Sequence, residues 1–218
     1  MERKATLISL IHPSRGRAQK AHATMIKWMS HTTNAMAVEH ILSIDQTDPC
    51  VSEYLKYFPR AIIGDNANVV QATNRAAKEA KGDILVYLSD DFDAPFAWDE
   101  FLRQQLGDGS EKILLKVDDG LQPFENEVLT IPIMTRALYQ ELGYFFYPEY
   151  ASMWVDVDLY YTCAPYIKRC PQVTFQHNHY CNGKAVKDET YTRSEGNWNQ
   201  GLDVFTRRFP STQPFKKK

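Results

Sequence analysis

No stretch of this 218-residue chain is apolar for long enough to span a bilayer. Near the N-terminus the apolar run from Ala5 to Ile11 is broken by His12, Pro13, Ser14 and Arg15, too soon for the hydrophobic region of a signal peptide, so the expected compartment is the cytoplasm. Cysteine is scarce. The four residues, Cys50, Cys163, Cys170 and Cys181, are irregularly spaced and form no Cys-x-x-Cys pair, which argues against a disulfide framework and for reduced thiols. Charge of one sign is lacking too: 25 Lys and Arg stand against 27 Asp and Glu. The net charge of −2 gives no whole-molecule attraction to nucleic acid. The local exception, Lys216-Lys217-Lys218, reads as a solvated tail or as a peripheral contact to acidic lipids. No P-loop, G-x-G-x-x-G, G-x-S-x-G elbow or H-E-x-x-H helix occurs, which argues against phosphate binding by a glycine loop, a serine elbow and a zincin helix.

What is present is an alternation of periods. Residues 6–11 read as a buried strand, and 12–17 as a polar loop. Residues 18–30 read as a helix with Ala21, Met25, Trp28 and Met29 at helical spacing. Strands follow at 40–44 and 60–64, a helix at 69–81 with Gly82 in the place of a C-cap, and a strong strand at 84–88. A helix over 98–106, strands at 113–117 and 128–134, a helix over 135–142, a helix opening at 155 and a strand at 173–179 complete the pattern. From Asn182 onward the chain is polar and weakly patterned, so 182–218 is expected to be an extension of loop and short helix. The alternation predicts an α/β domain with a mostly parallel sheet, in which ligands bind outside the carboxyl ends of the strands. The loops at 12–17, at Asp45 and at 89–93 stand at those ends and should converge on one crevice.

Four constellations could carry chemistry there. In Ser89-Asp90-Asp91-Phe92-Asp93, three carboxylates within four residues repel one another unless cations offset the repulsion. Hard oxygen donors suit Mg²⁺ or Mn²⁺, although an acidic turn can also be merely solvated. Asp156 and Asp158 stand at a helix start, where an Asp is either a cap or, in glycosyl transfer, a general base. On a strand, His177 and His179 would share a face and could complete a metal site, with Cys181 continuing the alternation. Arg15 and Arg17, beside His12 and Ser14, could bind phosphate with a guanidinium fork. The aromatic run from Tyr144 to Trp154 is either core or a platform for a sugar ring, with Tyr150 and Trp154 suited to the platform by their polar tips.

Together these residues resemble the family-2-like glycosyltransferases of GT-A fold, over roughly residues 5 to 180. LISLIHPSRGR looks like the segment lying along the nucleotide. NVVQATNRAAKEAKGDILVYLSDD is similar to that family's helix, Lys-Gly-Asp turn and strand running into the acidic motif. The resemblance implies a GT-A-like (Rossmann-like) mostly parallel central sheet flanked by helices, a single domain, with residues 1–181 as the nucleotide-sugar and metal-binding catalytic part. It implies a nucleotide-sugar donor, with a UDP-sugar favoured, contacted by His12, Ser14, Arg15, Arg17, Asn74, Arg75, Asp90 and Asp91, while Asp45 reads the base. Asp91-Phe92-Asp93 resembles the D-x-D metal motif, so Mn²⁺ or Mg²⁺ is expected on Asp91 and Asp93 with His177, His179 or both. Val155-Asp156-Val157-Asp158-Leu159 resembles the E-D-x-D-L segment. On that match Asp156 is the base of an inverting transfer to a saccharide or other hydroxyl acceptor, and Tyr150, Trp154 and Asp158 are expected to meet that acceptor. Two departures matter. Val155 replaces the usual Glu before the base, and Ser89 replaces a common Asp, which leaves open which two of Asp90, Asp91 and Asp93 ligate metal. A nucleotidyltransferase, or a binding protein keeping only the nucleotide pocket, would use many of the same residues.

Overall fold

Strand β1 (Ile8–Pro13) is buried along its whole length, as its unbroken apolar run requires. The computed structural model describes residues 5–65 and 68–212; the lysine tail at 216–218 lies outside the described residues. On either side of β1 run β2 (Val38–Asp45) and β4 (Ile84–Tyr87), both parallel to it, and β3 (Ile62–Gly64) pairs parallel with β2. Beyond β4 come β7 (Ile133–Thr135), β6 (Leu114–Asp118) and β8 (Ile167–Thr174). The seven-stranded order is β3-β2-β1-β4-β7-β6-β8. In this sheet β7 runs antiparallel to both its neighbours, and the other pairs are parallel. This is the mostly parallel α/β sheet that the alternation predicts.

Helices cover both faces because successive strand residues point to opposite sides. Ile11, Leu85 and Met134 face one layer, built from α3 (Val69–Glu79), α5 (Arg136–Leu142), α6 (Val155–Thr162) and α8 (Trp198–Arg208). Their immediate neighbours Leu10, Val86 and Ile133 face the other, with Trp28 of α1 (Ala18–Ser30) and Trp98 and Leu102 of α4 (Trp98–Leu106). A short α2 (Val51–Tyr57), which the periodicity does not reveal, packs Tyr54 against Ala18 and Ala21 of α1. A second, two-stranded sheet joins β5 (Phe92–Asp93) to β9 (Gln176–His177).

Several expected boundaries move for identifiable reasons. Helix α3 ends at Glu79, with Ala80 as its extended cap, so Gly82 is not a helix cap. Gly82 instead lets β1 pass closely: a Cβ there would lie 2.6 Å from the backbone nitrogen of Ser9. The strand expected at 128–134 shrinks to β7. Buried Lys116 donates from Nζ to the carbonyls of Asn126 and Val128, which removes those groups from any strand ladder. Around 167–179 the polar, largely exposed β8 forms the sheet edge, with Pro171 tolerated there, and β9 starts only at Gln176.

Residues beyond 181 are largely helical and pack against the core. The stretch holds α7 (Glu189–Gly196) and α8, and the packing shows no break at that boundary. Val204 and Phe205 of α8 join the main core, with Trp198, Leu202 and Phe209 packed against it. Trp198, Leu202, Phe205 and Phe209 sit three or four residues apart, a helical stripe masked by the polar residues between them. Gly201 lets α8 come close, since a Cβ there would lie 2.2 Å from the carbonyl oxygen of Met153. Phe205→Ala is therefore expected to cost about 3–5 kcal/mol of folding free energy, read from a denaturant unfolding curve. A dispensable extension would show almost no change.

Candidate functional site

The carboxyl ends of β1, β2 and β4 open on a cavity of about 800 Å³. Its walls carry Ser14, Arg15 and Arg17 after β1, Asp45 at the end of β2, and Asp90 and Asp91 after β4. Asp156, His177, His179 and Tyr191 face it from the second half of the chain. A neighbouring cavity of about 530 Å³ shares Asp90 and Asp91 and is lined by Lys20, Lys27, Asp93 and Asn178. The two aspartates thus form a partition between the cavities.

Helix α1 fixes the backbone of that partition. Thr24 Oγ1 donates to the carbonyl of Asp90 at 2.7 Å, and Trp28 Nε1 to that of Phe92 at 2.8 Å. The two carboxylates then meet different fates. Asp90 accepts from His12 Nε2 and from Ser14 Oγ, each at 2.9 Å. Asp91 accepts from the Tyr191 hydroxyl at 2.6 Å and lies 3.3 Å from His177 Nε2. Burial pushes the Asp91 carboxyl up, but the His177 imidazole and the hydroxyls of Tyr191 and Ser89 more than offset it and hold the group below the ordinary carboxylate range. Asp91 Oδ1 and His177 Nδ1 are both buried with no hydrogen-bond partner. Orphaned buried polar atoms are costly and rare, so each of these two residues keeps an atom free for a ligand.

Local pairing brings His177 there. In the β5–β9 sheet it stands opposite Phe92, with ring centroids 4.7 Å apart, and its N–H donates to Asp119 O at 2.8 Å. His179 lies beyond the strand and caps a turn, its Nδ1 accepting from Cys181 N at 3.2 Å. Burial and the neighbouring His177 lower its pKa, outweighing the pull of Asp91 and Glu195, so its neutral form is favoured. The two histidine rings nevertheless approach to 4.9 Å. Cys181 is exposed, and among the described residues no group of three or more His, Cys, Asp or Glu could hold a metal alone. Asp91 and His177 fit a hard divalent cation that takes its remaining donors from phosphate and water.

Asp156 is the second residue of α6. Before it, Trp154 holds left-handed backbone with φ 74°, a strained conformation for a bulky residue. The Trp154 indole is clamped between Trp198 and Phe205, at 5.0 and 5.4 Å, and this packing holds the strain. Burial, with Asp119 nearby, raises the Asp156 pKa above its ordinary value, despite backbone hydrogen bonds and His177 acting the other way. Asp45 is held by Thr47 and by Arg15, whose Nη1 lies 3.0 Å from Oδ2. Burial pushes the Asp45 pKa up, but these contacts bring it below its ordinary value.

Other expected site residues lie elsewhere. His12 is fully buried and reaches Asp90, not the cavity, so it is not a direct donor contact. Asn74 fastens α3 to the loop at 145–146: Oδ1 accepts from Phe145 N and Phe146 N at 3.0 and 2.9 Å, and Nδ2 donates to Phe146 O at 2.7 Å. Arg75 lies over Gly64 and donates to Asp65 O at 3.0 Å. Asp93 pairs with Lys27 at 2.6 Å, accepts from Asn178 at 2.8 Å and opens on the smaller cavity, so it does not stand beside His177 as a ligand. Asp158 is buried against Arg208 at 2.5 Å and accepts from the hydroxyl of buried Tyr150 at 2.9 Å. Tyr150, Trp154 and Asp158 thus join α6 to the core and to α8, and none of the three lines the cavity.

The residues that the sequence pattern did not single out come from α7, which forms part of the cavity wall. Asp188 is its N-cap, accepting from Tyr191 N at 3.2 Å, a signature legible in Asp188-Glu189-Thr190-Tyr191. The same carboxylate receives Arg17 in a two-point contact at 2.7 and 2.6 Å. The Arg17 guanidinium also stacks 4.4 Å over the Tyr191 ring, and Thr190 Oγ1 donates to Arg15 O at 3.2 Å. The chain thus supplies its own anion to the arginine best shaped for a phosphate. No helix among the described residues is long and apolar enough to cross a membrane.

No protein-family model and no curated protein matches the chain. Solved structures do. The chain is similar to the mannosyltransferase PcManGT from Pyrobaculum calidifontis, solved with GDP-Man and Mn²⁺, at TM-score 0.67 and 15% identity, covering 98% of this chain and 67% of that one. It is similar to S. aureus TarS 1–349 with UDP-GlcNAc at TM-score 0.58 and 11% identity, covering 94% of this chain and 73% of that one. Against the longer TarS chain the TM-score is 0.60 at 12% identity, and 95% of this chain spans 44% of that one. At these identities the likeness establishes the fold, that of the GT-A glycosyltransferases.

The Arg17–Asp188 contact generates a direct test. Asp188→Asn is expected to tighten binding of inorganic pyrophosphate about two- to fivefold by titration calorimetry, the worth of a half-exposed ion pair. Unchanged affinity would mean that Arg17 does not receive the anion.

Proposed function

We propose that this chain is a glycosyltransferase that depends on a divalent metal and moves a sugar, with inversion, from a nucleoside-diphosphate sugar to a hydroxyl acceptor. A UDP-sugar is the favoured donor. The observation that carries this reading is the pair of orphaned buried atoms, Asp91 Oδ1 and His177 Nδ1, in a crevice shared with Asp45 and Asp156 on a GT-A sheet. The GDP-Man and Mn²⁺ bound to the mannosyltransferase, and the UDP-GlcNAc bound to TarS, supply the ligand class.

Asp91 and His177 would hold Mn²⁺ or Mg²⁺. Bound there, the cation supplies electrostatic stabilisation of the negative charge that develops on the departing diphosphate. The rest of the chemistry falls to side chains. Arg17 exchanges the Asp188 carboxylate for a phosphate oxygen pair. Asp45, with Arg15 beside it, reads the base, and its carboxylate suits an N–H donor such as that of uracil. Asp90 accepts from hydroxyls of the nucleotide. Asp156 takes the acceptor proton as the new glycosidic bond forms and the bond to the diphosphate breaks. Burial and Asp119 suit it to that role by raising its proton affinity. The acceptor, a saccharide or another hydroxyl compound, enters beside Asp156.

Asp156→Asn is expected to lower kcat by about 10²–10⁴ while UDP still binds in the presence of Mn²⁺. Released UDP, measured against an EDTA control, is the readout, and normal turnover by this variant would remove the base assignment. Pyrophosphate and an activated sugar as products would instead indicate a nucleotidyltransferase. The base works deprotonated and its pKa is raised, so kcat should fall toward acid pH, with its midpoint above the ordinary Asp value of about 3.9. Asp119→Asn removes a neighbouring negative charge and should move that midpoint down.

A further inference from the structure

One buried feature is left unused by this reading. His12 stands near the carboxyl end of strand β1 with no exposed surface, on the same face as Leu10. A polar ring in that position is costly unless both nitrogens are paired. Both are: Nε2 lies 2.9 Å from Asp90 Oδ1, and Nδ1 lies 2.9 Å from His40 Nε2. His40 reaches His12 because it pairs in register with Leu10, one pleat behind His12 on the same sheet face. The two rings meet edge to face at 5.1 Å, and Phe58 closes the far side of His40 at 5.3 Å.

The hydrogens in this chain follow from its end. A carboxylate only accepts, so His12 Nε2 carries a hydrogen and donates it to Asp90. Burial, with His12 beside it, lowers the His40 pKa well below its usual value and keeps that ring neutral. Bonds on opposite edges of the His12 ring forbid the half-turn that would exchange its nitrogens for carbons. The consequence falls on Asp90. His12 claims Oδ1, and the single Ser14 hydroxyl hydrogen can serve only one oxygen at a time. Oδ2, 2.9 Å from Ser14 Oγ and 4.0 Å from Arg17 Nη1, keeps a lone pair unclaimed, and Asp90 lines the cavity.

Resting on the transferase reading, we infer that His12, backed by His40, is a positioning residue that fixes the Asp90 carboxylate so that Oδ2 receives a hydroxyl of the nucleotide. His12 touches no ligand and acts only through Asp90. It accordingly governs how tightly the nucleotide is held and leaves the cation at Asp91 alone.

A double-mutant cycle separates this role from a structural one. UDP affinity is measured by titration calorimetry at saturating Mn²⁺, and Mn²⁺ affinity by paramagnetic resonance without nucleotide. His12→Leu, close in volume but without a donor, should weaken UDP binding about ten- to hundredfold, the worth of a lost charge-assisted hydrogen bond. Mn²⁺ affinity should stay within about twofold, which also reports that the fold is intact. His12→Gln, whose amide can donate from the same reach, should bind UDP within about threefold of the unsubstituted protein. Asp90→Asn should weaken binding as His12→Leu does, and combining the two should add almost nothing, because one acts through the other. Losses that multiply in the double variant, or UDP binding by His12→Leu equal to that of the unsubstituted protein, would overturn the inference and leave the transferase reading standing. An unsubstituted protein that binds no nucleoside diphosphate with Mn²⁺ would sink both.

Discussion

Two neighbouring carboxylates at the end of a buried strand cannot both go unanswered, and the way Asp90 and Asp91 are answered organises the molecule. Asp90 is met from β1 and its loop, by His12 and Ser14. Asp91 is met from β9 and α7, by His177 and Tyr191. Each half of the chain therefore sends its polar groups to one partition wall. Like charges so close would oppose each other strongly in a medium of low dielectric, and these separate partners make the arrangement tolerable. The same division of partners leaves one oxygen of Asp91 and one nitrogen of His177 buried and unclaimed.

The first half of this plan was legible in the sequence. The unbroken apolar runs of β1 and β4 and the helical spacing in α1 and α3 report burial on a period, and burial decides layer and topology. The rule that ligands lie outside the carboxyl ends of parallel strands then brought Arg15, Arg17, Asp45 and Asp91 to one crevice. What the pattern could not carry was side-chain direction. Asp93 follows Asp91 by two residues, yet β5 turns it to Lys27 and the smaller cavity. Asn74 and Asp158 read as site residues because they are polar beside a functional segment. Their actual partners, the backbone at 145–146 and Arg208, lie 50 to 72 positions away in the chain and leave no local trace.

The C-terminal helices were illegible for a related reason. Their apolar positions are few and aromatic, and each is spaced among polar residues, so average polarity hid the stripe of Trp198, Leu202, Phe205 and Phe209. Their two tasks differ. Helix α7 supplies Asp188 and Tyr191, which cover Arg17 and Asp91, and the first of these covers is half exposed and held by an ion pair that water and salt weaken. Helix α8 is bound into the core through Phe205 and through the Arg208 pairing with Asp158. One helix thus meets the polar crevice while the next is fixed in the apolar core.

The left-handed turn at Trp154 carries this dependence into the order of synthesis. The backbone that aims Asp156 is kept in its costly shape by an indole wedged against Trp198 and Phe205. A nascent chain that has emerged only as far as α7 would possess Arg17, Asp45, Asp91, Asp156, His177 and Tyr191 and still lack the wedge that aims one of them. The backbone that aims Asp156 therefore depends on residues some forty to fifty positions downstream of it.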